Sequence, residues 1–228
     1  MTTVRHIALE CPVCDTGFWT RQIMSCGYHG QDTDFRPRYW GADPLPNFVH
    51  RCPGCDFCSY TALFRKLKHP PEDLEYDPGG YPIKRYELAA RKAVEHGASS
   101  EQIADFYLHA AWCARRPSWR RIERRNLQRA ARWFASAVSR GEIDRRELAK
   151  TVYLIGELRR RCGDFEGALD WFRRAESVWL TPEQRQWLPR AIRRQKGLAR
   201  RKDASRPQNL WLRIFSELWS ELRSGGGS

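Results

Sequence analysis

Five of the eight cysteines fall into a spaced pattern: C-x2-C at Cys11 and Cys14, 37 intervening residues, then C-x2-C-x2-C at Cys52, Cys55 and Cys58. Paired C-x2-C segments form knuckles whose sulfurs converge on one ion, and two knuckles complete a tetrahedron. Pro12 and Pro53 stiffen the two turns, and Gly17 and Gly54 lie beside them. The reading is a structural metal site held by Cys11, Cys14, Cys52 and Cys55. Zinc is the expected ion, although an iron centre uses similar knuckles. Cys58 is the alternative ligand and otherwise a buried thiol; Cys26, His29 and His50 are remoter substitutes. Four thiolates leave no open coordination position, so the site is expected to hold a fold rather than to catalyse. A redox C-x2-C would open a helix beside a βαβ unit, and no such pattern is present.

Elements must position these residues. Short apolar stretches at Phe18 to Ile23 and Phe48 to His50 read as strands with polar turns between them. Asp32 and Asp34 read as a loop bonding its own backbone. From Pro82 onward the apolar period becomes helical. Helices are expected near 83–96, 100–115, 118–139, 144–162, 165–179, 182–202 and 208–223. Ser99, Ser100 and Asp144 are candidate caps, and Gly97, Gly141 and Gly163 follow helix ends. An A-x3-F-x2-A pattern at Ala130, Phe134 and Ala137 returns at Ala168, Phe172 and Ala175, 38 residues later. Gly156 precedes Ala168 by twelve residues. Those spacings suit tetratricopeptide-like hairpins, in which small residues sit where two helices touch. The expected fold is therefore mainly α. A helical array (residues 81–205) follows a small four-cysteine, zinc-ribbon-like β module and linker (1–80). A C-terminal amphipathic capping helix (206–223) and an appended SGGGS linker (224–228) complete it.

The ordered features CPVC, DTDF, GADP and CPGC before an aromatic residue resemble a bacterial family known as domain of unknown function 2225. The stretches YELAARKAVEHG, IADFYLHAAWCAR and YLIGELRRRCGDFEGALDWFRRAE resemble it too, so the likeness spans roughly residues 10–180. The resemblance implies a zinc-ribbon-like N-terminus and tetratricopeptide-like helices, with no assigned activity. Where that family usually has glycine after the second knuckle, this chain has Asp56.

The net charge is +13, with −2 on residues 1–80 and +15 on the remainder. A basic helical part suits an acidic protein partner or the phosphates of nucleic acid. Arg121, Arg125 and Arg132 share one face of a helix, opposite Trp119, Ile122, Leu127 and Phe134. With Arg159, Arg160, Arg193 and Arg194 they are the candidate partner- or phosphate-binding residues. No base-reading motif accompanies them. The stripe Leu210, Trp211, Ile214, Phe215, Leu218, Trp219 and Leu222 is expected to cap the helical stack or to mediate self-association. Its polar face mixes Arg213 with Glu217 and Glu221, which argues against a membrane surface. No apolar run is long enough to span a membrane and no signal-peptide core precedes the first knuckle, so a cytoplasmic protein without structural disulfides is expected. No nucleophile elbow, P-loop, HExxH or GxGxxG is present. The functional expectation is a non-enzymatic adaptor that binds a partner protein. The alternative is a nucleic-acid-binding accessory protein, and a redox protein ranks third.

Overall fold

The computed structural model describes residues 3–205. Seven short strands and six helices follow in chain order: β1 (Thr3–Glu10), β2 (Gly17–Ser25), β3 (Tyr28–Gln31), β4 (Pro37–Tyr39), β5 (Val49–Arg51), β6 (Cys58–Tyr60), β7 (Arg65–Lys66), α1 (Pro82–Glu95), α2 (Ser100–Cys113), α3 (Arg120–Ser139), α4 (Leu148–Arg161), α5 (Phe165–Ser177) and α6 (Pro182–Arg200). The mainly helical class and the small N-terminal strands are as expected. The seventh expected helix, 208–223, lies outside the described residues.

Helix starts follow side-chain chemistry. Ser99 Oγ accepts the Gln102 N–H at 3.2 Å, and Asp164 Oδ1 accepts the Gly167 N–H at 3.0 Å. Thr181 and Gln184 form a reciprocal capping box at the start of α6. Each satisfies donors that a helix end would leave orphaned. Ser100 lies inside α2 and is buried. Asp144 accepts the Arg146 N–H at 2.7 Å and turns the chain ahead of α4, which begins only at Leu148.

Backbone packing divides the chain into two compact units. One comprises Met1–Gly27 and Tyr39–Ala137; the other joins Tyr28–Arg38 to the chain from Val138 onward. This division differs from the expected break near residue 80. The helices α1 and α2 pack with the β module, whereas eleven residues from between the two knuckles pack with the later helices.

In the first unit, β1 is central in a sheet of order β2-β1-β7, and β5 pairs with β6; both pairings are antiparallel. Helix α1 is tied to this layer through polar contacts. Tyr86 donates from its hydroxyl to the Leu45 carbonyl at 2.9 Å, and the Arg85 guanidinium reaches the Val49 carbonyl and Asp77. Tyr60 stacks on Phe106 of α2 with ring centroids 4.7 Å apart.

In the second unit, α4 and α5 pair across a short turn at Gly163. A Cβ on Gly156 would lie 2.7 Å from Phe172 Cδ1, so the small residue permits the helix contact. The tip of the β3–β4 hairpin is built into this unit. Thr33 Oγ1 donates to Glu157 Oε1 at 2.6 Å, Asp34 pairs with Arg161, and the Phe35 ring lies 5.7 Å from that of Tyr153 and 5.9 Å from that of Trp187. Glu157 also receives Arg160 Nε and Nη2, both at 2.9 Å. Asp34, Glu157 and Arg160 are completely buried. The expected self-bonded Asp loop is therefore corrected. Asp32 does bond within its loop, to Arg38 Nε at 2.8 Å, but Asp34 is an ion-pair partner 127 residues from its arginine.

Removing one member of such a pair leaves an uncompensated buried charge, at a cost of about 3–5 kcal/mol. Asp34→Ala is expected to destabilise the protein by that order in urea unfolding. The double variant Asp34→Ala/Arg161→Met is expected to recover most of the loss, because neither charge then remains buried alone.

Candidate metal centre

The two knuckles occupy equivalent places in two hairpins. Cys11 follows β1 directly and its turn leads into β2; Cys52 follows β5 and its turn leads into β6. Their hydrogen bonds repeat. The Asp15 N–H donates to the Cys11 carbonyl and the Asp56 N–H to the Cys52 carbonyl, both at 3.1 Å. The Cys11 N–H donates to Thr16 and the Cys52 N–H to Phe57, at 3.0 and 2.9 Å. The residue after each second cysteine is left-handed, with φ 54° at Asp15 and 60° at Asp56. Aspartate tolerates that region better than most side chains, and glycine better still. The family's usual glycine at the second position thus has a conformational reason. Gly54 answers a different demand, since a Cβ there would lie 2.6 Å from Thr16 Oγ1 of the other knuckle.

The four sulfurs meet as this geometry requires. The Sγ atoms of Cys11, Cys14, Cys52 and Cys55 all lie within 4.8 Å of one another. Cys11–Cys55 and Cys14–Cys52 are each separated by 3.6 Å. A disulfide needs about 2.05 Å. A metal–sulfur bond of about 2.3 Å in a regular tetrahedron gives a sulfur–sulfur edge of about 3.8 Å. The spacing therefore fits four thiolates around one ion. Thr16 Oγ1 lies 3.1 Å from Cys14 Sγ, and its hydrogen bonds bring the Cys14 thiol down to about 6. Burial raises the Cys52 and Cys55 thiols. A small core surrounds the cluster: Leu9, Phe18, Phe57 and Phe64, with Ile7 beside them.

The alternative ligands lie elsewhere. The buried Cys58 thiol donates to the Arg85 carbonyl at 3.4 Å, and burial pushes it up to about 12. His50 lies between two threonines, with Nδ1 2.9 Å from Thr20 Oγ1 and Nε2 2.7 Å from Thr61 Oγ1. Cys26 and His29 do not join the cysteine cluster.

The candidate arginines separate into two groups. Arg121 and Arg132 on α3, and Arg193 and Arg194 on α6, are exposed. Arg125 is exposed but bonds Glu87 of α1 through Nη2 at 2.6 Å. Arg159 pairs with Asp164 at 2.8 Å, beside the α5 cap. Arg160 is corrected outright: it has no exposed surface, and its remaining bonds run to the carbonyls of Asp203 and Ser205 at 2.5 and 2.9 Å. It was expected to meet a partner, but it holds the chain that follows α6. Among the described residues no helix is long and apolar enough to cross a membrane.

The family described as "uncharacterized protein conserved in bacteria", DUF2225, matches residues 6–75 and 80–199, and the chain belongs to it. No curated protein and no solved structure matches the chain.

Two outcomes follow from the centre. Stripping metal with a chelator, or replacing Cys52 by Ser, is expected to raise amide exchange across 8–26 and 47–66. Residues 31–36 should keep their protection, because Thr33, Asp34 and Phe35 are held by α4 and α6; hydrogen-exchange mass spectrometry reads both regions at once. Asp56→Gly removes an exposed Arg51 contact worth at most about 1 kcal/mol and relieves about 1 kcal/mol of left-handed strain. Its melting temperature should stay close to the parent's, whereas Asp56→Val should fall clearly below it.

Proposed function

We propose that the protein is a non-enzymatic adaptor. A structural zinc ion closes the N-terminal module as a ribbon, tetratricopeptide-like hairpins form the helical part, and an arginine-bearing helical surface captures an acidic protein partner. The observation that carries this reading is the α3 surface. Arg121 and Arg132 project from a 20-residue helix whose opposite side buries Leu127, Ala130, Phe134 and Ala137. They are eleven residues apart, which on a helix places two cations about 17 Å from each other on a rigid support. A fixed spacing of charge suits recognition of a structured acidic surface.

Zinc is favoured because four thiolates at tetrahedral spacing match its closed structural sites. The close contact of Gly156 with Phe172 supports the repeat-like reading, as small residues occupy such crossings in tetratricopeptide hairpins. The nucleic-acid reading has one observation in its favour, the +13 net charge. It predicts binding that falls steeply with salt, because each phosphate contact releases counterions.

The test uses the full-length, metal-loaded protein and the variant Arg121→Glu/Arg132→Glu. Arg125 is left intact, because reversing it would place two acids together at Glu87. Chemical crosslinking in bacterial cells is expected to join the parent protein through α3 to a discrete protein, and the variant is expected to lose at least 90% of that product. The melting temperature should move by less than about 2 °C, as for ordinary surface changes. A parallel loss of folding would refute a surface role. Micromolar binding of labelled RNA or duplex DNA at physiological salt, lost in the same variant, would replace the adaptor with the nucleic-acid reading.

A further inference from the structure

The second unit contains an open groove of about 1010 Å³ formed by the β3–β4 hairpin and the N-terminal ends of α4 and α6. Four aromatic side chains line it: Tyr28, Phe35, Trp179 and Trp187. Tyr28 is 53% and Trp179 44% exposed, and these are the two large hydrophobic residues listed as exposed among the described residues of this unit. Exposed apolar surface is thus concentrated in one concavity rather than scattered, which is the pattern of an interaction site. Lys150 and Arg146 are offset by Glu147 and Glu183 in the same lining, so apolar contact rather than net charge must select the occupant.

We propose that this groove seats the chain's own C-terminal segment, residues 208–223. That segment spaces Leu210, Trp211, Ile214, Phe215, Leu218, Trp219 and Leu222 along one helical stripe, and its charges balance as those of the groove do: Arg213 and Arg223 against Glu217 and Glu221. An apolar stripe with two tryptophans needs an apolar seat. The outward positions of α5 and α6 provide none, because Arg173, Arg174, Glu176, Arg185, Arg193 and Arg194 occupy them.

The exit point and the reach agree with this seat. The chain leaves α6 with Ser205 held through its carbonyl to Arg160, near the C-terminal end of α4. The groove begins at Lys150, ten residues back along α4, a distance of about 15 Å. Residues 206 and 207 extend by about 3.3 Å each, and sixteen helical residues span about 24 Å. The segment is therefore long enough to run back along α4 and lay its stripe across the aromatic lining.

The test places the photo-crosslinking residue p-benzoylphenylalanine at Trp179 in the full-length, metal-loaded protein. The expected product after irradiation of a dilute sample is an intrachain crosslink to a peptide within 208–223. A crosslink joining two chains would make a second copy the occupant and overturn the proposal. Crosslinks to other segments, or no crosslink, would also overturn it. A second readout keeps the native groove: in Trp211→Asp/Phe215→Asp, amide exchange of 28–35 and 179–187 is expected to rise at least tenfold, with α1 and α2 unchanged as an internal control. Unchanged exchange in the groove would mean that the segment does not cover it. Neither result bears on α3, so failure here leaves the adaptor reading standing.

Discussion

The first unit depends on convergence of four sulfurs from two hairpin turns. The core around them is small, essentially Leu9, Phe18, Phe57 and Phe64 with the cysteines themselves. A core of that size buries too little apolar surface to offset the entropy of ordering three short sheets. An ion shared by four thiolates closes the chain between residues 11 and 55 and makes metal binding part of folding. The consequences extend beyond the ligands. Strand β5 leads into the second knuckle, and its Val49 carbonyl accepts from Arg85 of α1. Helix α1 therefore packs on a layer whose geometry the cluster fixes.

The 37 residues between the knuckles have a second assignment. Their ends belong to the metal module, but Thr33, Asp34 and Phe35 belong to the helices of the second unit. The contacts are unusually polar for an interior: Asp34 with Arg161, Thr33 with Glu157, and Glu157 with Arg160. Ion pairs of this kind add little net stability, because desolvation cancels much of the attraction. They do penalise misplacement heavily. A hairpin shifted by one residue would bury Asp34 or Arg161 without its partner. Apolar contact alone, such as Phe35 on Tyr153, would tolerate such a shift better.

Local chemistry was readable and long-range pairing was not. The two C-x2-C pairs stated their geometry through spacing alone. The helices from Pro82 were visible in their period, and Ser99 marked the start of α2. Strand β1 gave no such signal: its first four residues are exposed and only Ala8 and Leu9 are buried, so no alternation appears. Asp34 read as a loop residue because its arginine is 127 positions away. Glu157 carried a usable hint. It stands within the buried run Thr151–Leu158 of α4, where a charge requires a partner. Arg160, three residues on, was that partner, but a run of three arginines resembles a surface patch when read without its neighbours.

The same ambiguity bears on what the basic surface means. Arginines drawn from one sequence pattern meet different fates once folded. Arg160 and Arg161 neutralise buried acids, Arg125 joins α3 to Glu87 of α1, and Arg159 supports the cap of α5. These account for part of the positive charge through architecture alone. Arg121 and Arg132 are different, because their helix is already fixed by its buried face and their charges add nothing evident to that packing. A cation that the fold does not use has no internal reason to recur on a rigid face. That asymmetry, more than the size of the net charge, directs attention to α3 as the surface where a partner would be read.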